Sequence, residues 1–222
     1  MRLAGAGRFR ADLIAWGREN FRAFPWRETD DPYGILIAEV MLHRTKAPQV
    51  MAVYSTFLRR YPGVDELAKA SREDLLVALA SLGLRQRVEM LHAMAQEIAD
   101  RFDARVPEGK AELTSLPGVS DYIAGAVRCF ARNEPEALID TNTVRVVGRL
   151  FGLKTTDSSR RNPVFKDLHT KLVDPNEPRA YNYAMLDLAA RVCTKVGPPD
   201  CHRCPVKRHC RYGNDPHTAK AT

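Results

Sequence analysis

The strongest constraint on this fold lies near its C-terminal end, where Cys193, Cys201, Cys204 and Cys210 follow the spacing C-x7-C-x2-C-x5-C. Loops this short hold four thiols within reach of one metal centre. Thiolate sets of this kind select an iron–sulfur cluster or zinc. A disulfide-stapled tail is the competing structural reading. It suits a secreted chain, but the N-terminal stretch MRLAGAGRFRADLIAWGREN lacks the apolar block and small-residue cleavage site of a secretory signal. The expected address is therefore cytoplasmic and nucleoid-associated, where thiols stay reduced and clustered cysteines bind metal.

The same segment carries much of the charge. Between Arg191 and Tyr212 stand six Arg or Lys and one acid, Asp200, a net +5 out of +7 for the whole chain. Localised positive charge around a metal knot points to an anionic polymer as partner. With 222 residues and 45% hydrophobic content the chain can bury a sizeable core. It has no run of membrane-spanning length, so no membrane partner is expected.

The remainder reads as all-α. Phe9, Leu13 and Trp16 have helical spacing, and Val88, Leu91, Ala95, Ile98 and Phe102 step by three and four. The Ser71-Arg72-Glu73-Asp74 sequence resembles a capping box ahead of Leu75. Pro62-Gly63, Leu82-Gly83, Pro117-Gly118 and Asp174-Pro175 punctuate the helices. The stretch 153–163 reads as a mobile surface loop. Cys129, within an apolar helical stretch, reads as a buried thiol and not a ligand.

Three places carry candidate chemistry. In ELTSLPGVSDYIAGAV (112–127) a Pro-Gly turn joins two helices. Gly118 supplies the backbone freedom, and the amides of Val119, Ser120 and Asp121 open the second helix as an anion site. A plain helical corner is the alternative. Tyr122 falls in the first turn after the bend, where it can face a cleft. Glu39 is an isolated acid in the apolar run GILIAEVML (34–42). Burial would favour its protonated form and fit it to donate a proton, whereas an ion pair with Arg44 or His43 would make it structural. Asp140 fits the N-cap of a helix that begins near Thr141 or Asn142. Amide hydrogen bonds favour a charged carboxylate, and such a group can also stabilise a sugar oxocarbenium ion. Arg145 and Arg149, one turn apart, are expected to face phosphates or acids.

In their order and separation, LPGVSDYIAGAV, LIDTNTVRVVGRL and the four cysteines resemble the helix-hairpin-helix DNA glycosylases, the superfamily of endonuclease III and the adenine glycosylases. The likeness runs from about Phe24 to Cys210. It implies two helical lobes flanking a DNA-binding cleft. One is a six-helix barrel with the hairpin, residues 23–133. The other, residues 1–22 and 134–222, carries a [4Fe-4S] cluster on Cys193, Cys201, Cys204 and Cys210. The resemblance makes Asp140 the catalytic aspartate, with Glu39 and Tyr122 as further catalytic residues. It assigns DNA contacts to Leu116, Gly118, Val119, Ser120, Asn142, Arg44 and Arg145, and to a wedge among Leu84, Arg85 and Gln86. Double-stranded DNA is the implied partner of a monomer.

Tyr122 stands where endonuclease III has a Schiff-base lysine, which implies base removal without strand cleavage. The stretch DPYGILIAEVMLHRTKA is most similar to the archaeal thymine–guanine mismatch glycosylases and makes thymine or uracil opposite guanine the expected target. An adenine glycosylase without its 8-oxoguanine-reading domain is the alternative, and a non-catalytic iron–sulfur DNA-binding or redox-sensing protein is an alternative of another class. Three departures from the family pattern stand out: Ser120 in place of a second hairpin glycine, seven residues rather than six in the first cysteine gap, and one residue fewer in 83–91.

Overall fold

The structure, a computed structural model, describes residues 5–83 and 85–215, excluding the side chains of 85–87. Among the described residues every regular element is helical, and no helix is long and apolar enough to cross a membrane. The chain divides into two compact units, Ala23–Arg132 and a discontinuous unit of Met1–Arg22 with Asn133–Thr222.

The first unit contains α2 (Pro32–Leu42), α3 (Ala47–Arg60), α4 (Val64–Ala68), α5 (Arg72–Ala78), α6 (Arg85–Phe102), α7 (Lys110–Ser115) and α8 (Asp121–Arg132). Its centre is α2. Asp31 caps this helix, its carboxylate accepting from the amides of Tyr33 at 3.1 Å and Gly34 at 2.8 Å, and Pro32 enters the first turn without a wasted N–H. Every residue from Tyr33 to Met41 is then buried. A helix apolar on all sides belongs in a core, and α2 packs against α3 and α8. Ser71 caps α5 by accepting from the Asp74 amide at 3.1 Å. The carboxylate of Asp74 takes the Ser71 hydroxyl and Arg60 instead of closing the reciprocal half of the box. Val88, Leu91, Met94, Ala95 and Ile98 form the inward stripe of α6.

The second unit packs α1 (Ala6–Glu19) on α11 (Pro178–Arg191), with α9 (Thr141–Phe151), α10 (Pro163–Leu172) and the short α12 (Arg211–Asn214) around them. The buried face of α1 is Phe9, Leu13, Ile14 and Gly17. Trp16 packs partly buried against this core, and Gly17 takes the line of closest approach. A β-carbon on Gly17 would stand 2.4 Å from Ala184 Cβ. Residues 153–163, expected as a surface loop, contain a 3-10 helix at Asp157–Arg161. Ser159 is buried there, and its hydroxyl accepts from the Thr156 amide at 2.9 Å, so local side-chain bonds replace the open loop.

Candidate active site and cysteine centre

In the first unit the candidate residues sit on α2, α8 and the turn before α8. Glu39 is 7% exposed, on the central buried helix. Tyr122 lies in the first turn of α8, half-buried, and α8 packs directly on α2. Just past α2, exposed Arg44 adopts φ +63°, the left-handed region where glycine is the usual helix-terminating residue. Holding an arginine there costs about 1–2 kcal/mol, and strain of this kind concentrates at ligand-binding positions.

The hairpin turn is built as its residues suggest, with one revision. Leu116 and Val119 are buried and anchor it, and Gly118 takes φ +76°. A β-carbon at Gly118 would meet Met90 Cβ at 3.3 Å, so the turn lies tight against α6. The Val119 amide, expected to face an anion, donates to Leu116 O at 3.2 Å and closes the turn. Ser120 is the N-cap of α8, since its hydroxyl accepts from the Ile123 amide at 3.3 Å and its carbonyl from Ala124 at 2.9 Å. Serine therefore replaces glycine here by supplying a cap, which uses another helix-start amide internally. The wedge candidates Leu84, Arg85 and Gln86 lie outside the described residues, Arg85 and Gln86 as regards their side chains.

In the second unit Asp140 caps α9. One carboxylate oxygen accepts from the amides of Asn142 at 2.9 Å and Thr143 at 2.7 Å, and the other from Asn142 Nδ2 at 2.7 Å. The Asp140 amide donates in return to Thr143 Oγ1 at 3.0 Å, and that hydroxyl donates to Leu138 O at 3.0 Å. The carboxylate is thus fixed by three donors, yet Asp140 stays partly exposed. Asn142 is fixed in turn, its Oδ1 accepting from Arg145 Nη1 at 3.1 Å.

Arg145, assigned above to DNA, is engaged within the protein. Its Nε donates to Cys193 O and its Nη2 to Ala189 O, both at 2.9 Å. These carbonyls lie at and just past the end of α11, where the helix has run out of its own donors and favours a cation. Burial is the main influence on the guanidinium and lowers its pKa. A continuous polar chain therefore runs from the Asp140 carboxylate through Asn142 and Arg145 to the first cysteine. Arg149, one turn on, also turns to the cysteines, with Nη1 at 3.2 Å from Cys193 Sγ and 2.8 Å from Thr194 O. Neither arginine's role was legible locally, since their partners lie 44 to 48 residues away.

The four cysteines are partly buried and none is joined in a disulfide. Burial pushes the Cys204 thiol up to about 12 and also raises Cys201 and Cys210. Neighbouring cysteines add to each of these three rises. Among the described residues no group of three or more His, Cys, Asp or Glu closes on the position of a single metal ion. Cys129 is buried on α8, apart from this set. The basic rim is thinner than its composition suggests. Arg191 donates to Asn20 O at 2.9 Å, Arg208 pairs with Asp12, and Arg203 stands 3.9 Å from Asp200. Lys195 remains exposed on the first cysteine loop.

Residues 37–169 match the HhH-GPD superfamily of base excision DNA repair proteins. The chain belongs to that superfamily. Among HhH-GPD relatives, a thymine-DNA glycosylase of Aeropyrum pernix is 38% identical over 211 residues, covering 93% of this chain and 94% of its own. An adenine DNA glycosylase of Mycobacterium tuberculosis is 35% identical over 207 residues, 90% of this chain and 68% of its own. The solved structure of a thermostable thymine-DNA glycosylase superposes with a TM-score of 0.85 at 30% identity, covering 94% of this chain and 96% of its own.

Proposed function

We propose that this chain is a monofunctional DNA glycosylase that hydrolyses the N-glycosidic bond of thymine or uracil opposite guanine. The observation that carries the reading is the phenol of Tyr122 in the first turn of α8. A phenol cannot form a Schiff base with the sugar, so water must complete the reaction and the strand stays intact. Similarity to a thymine-DNA glycosylase over nearly the full length of both chains supports the choice of base.

The substrate is double-stranded DNA with the target nucleotide extruded, which is least costly at a mismatch. Asp140, held by its three donors, stabilises the positive charge that grows on the sugar. Glu39, buried on α2, hydrogen-bonds or protonates the departing base or positions the water, and Tyr122 orients the base. For a pyrimidine the leaving charge spreads onto O2, so a donor there does more than a strong acid. Around the hairpin, Gly118 lets the backbone approach a phosphate, with the Ser120 and Asp121 segment as its partner.

We assign a [4Fe-4S] cluster to Cys193, Cys201, Cys204 and Cys210. The donor set fits: four half-buried thiols, none joined in a disulfide, in a lobe whose last described helix α12 has only four residues. These four thiolates would hold the group, which would supply a rigid cross-link for the 193–210 segment.

Labelled duplexes carrying G·T, G·U, A·G and 8-oxoguanine·A pairs test the base. Alkali-dependent breaks are expected at the T and U strands opposite guanine. Breaks confined to adenine strands would establish an adenine glycosylase instead, the reading favoured by the second relative. Tyr122→Lys is expected to add strand cleavage, with a borohydride-trapped protein–DNA adduct on denaturing gels. Failure to trap one would place residue 122 away from the sugar.

A further inference from the structure

Arg149 has a position that neither the hydrolysis nor the DNA contacts require. Its Nη1 lies 3.2 Å from Cys193 Sγ and 2.8 Å from Thr194 O, and its guanidinium carbon stands 5.2 Å from the centre of the Tyr212 ring. Its own carbonyl is 3.5 Å from Cys210 Sγ. One residue thus touches the first and last cysteines of the set.

The first cysteine loop explains why such a clamp is useful. This loop runs seven residues between Cys193 and Cys201. Its far end is closed by the Asp200 amide donating to Val192 O at 2.9 Å. Its tip turns through Gly197 at φ +71°, with Val196 exposed. At its start, the Thr194 carbonyl is held by Arg149. The guanidinium is therefore fixed on one side by a carbonyl and on the other by an aromatic face, a planar arrangement that an ammonium does not reproduce.

We propose that Arg149 is a positioning residue of the cysteine centre, donating to the Cys193 sulfur while it pins the 194–200 loop and offsets thiolate charge. The inference rests on the cluster assignment above. Hydrogen bonds to ligand sulfurs and nearby charge set both the potential and the durability of such centres.

The test begins with iron and acid-labile sulfide in the purified wild-type protein, followed by Arg149→Gln, Arg149→Lys and Tyr212→Leu. Two quantities are read without DNA: decay of the brown visible band in air with EDTA, and the reduction midpoint by voltammetry. In Arg149→Gln the band should decay about tenfold faster, and the midpoint should move to lower potential, because lost positive charge disfavours the electron-richer state. Arg149→Lys should restore most of the midpoint but only part of the lifetime. Tyr212→Leu should shorten the lifetime with little change in midpoint. Wild-type protein with iron and sulfide, together with Arg149→Gln of unaltered decay and midpoint, overturns the inference alone. Zinc without sulfide in the wild type overturns the cluster assignment and this inference with it.

Discussion

Asp140→Asn abolishes base release while the protein still binds a mismatched duplex. The substitution is informative because of what it preserves. Asparagine is as good an N-cap as aspartate, and its side-chain oxygen can still accept from the Asn142 and Thr143 amides that start α9. One contact is lost. Asn142 Nδ2 now donates to the second carboxylate oxygen at 2.7 Å and would face an NH2 group instead. Asn142 cannot simply flip, because its Oδ1 accepts from Arg145. The structural cost is one hydrogen bond, about 1 kcal/mol. The chemical cost is the negative charge that opposes a cationic sugar, and removing one group of this kind lowers turnover by roughly 10²–10³ or more. Single-turnover rates on a G·T duplex beside gel-shift affinities separate the two costs. Near-normal rates would leave Asp140 with capping alone.

Gly17→Val destabilises the discontinuous unit severely. The α1–α11 contact closes at this residue, where a β-carbon would stand 2.4 Å from Ala184 Cβ and 3.1 Å from Ala184 Cα. The second atom is backbone, so rotamer changes cannot relieve the clash and the helices must part. Overpacking costs typically 1–3 kcal/mol, and a backbone clash on the main helix pair puts this variant at about 3 kcal/mol or beyond. Gly7→Ala is the control on the same helix. Nothing lies within 4 Å of its added carbon, so its stability should be unchanged or higher by up to about 1 kcal/mol. Calorimetric unfolding of both variants checks the pair. Equal transitions would mean that α1 and α11 do not pack so closely.

The parts of the fold that were legible in the sequence are those decided by near neighbours. Ser71 and Asp140 announce their helices because a cap acts on amides two or three residues away. The stripe of α6 and the apolar run of α2 report their burial through spacing alone. What the sequence left open depends on distant partners. Ala184 decides that Gly17 enters the α1–α11 contact. Arg145 and Arg149 were read as facing phosphates or acids, and the end of α11 and the cysteine loop supply carbonyl and sulfur acceptors as well. At the hairpin, Ser120 marked a departure from the family, but its work as a cap depends on the turn it follows.

The discontinuity of the second unit bears on synthesis. Helix α1 is synthesised well before its packing partner at 178–191, and Asp12 is met by Arg208 and His209. Its apolar stripe must wait through the making of residues 23–132, which form a compact body of their own. Sequential emergence therefore favours the 23–132 body maturing first, with the apolar face of α1 covered only after residues 178–191 have been made.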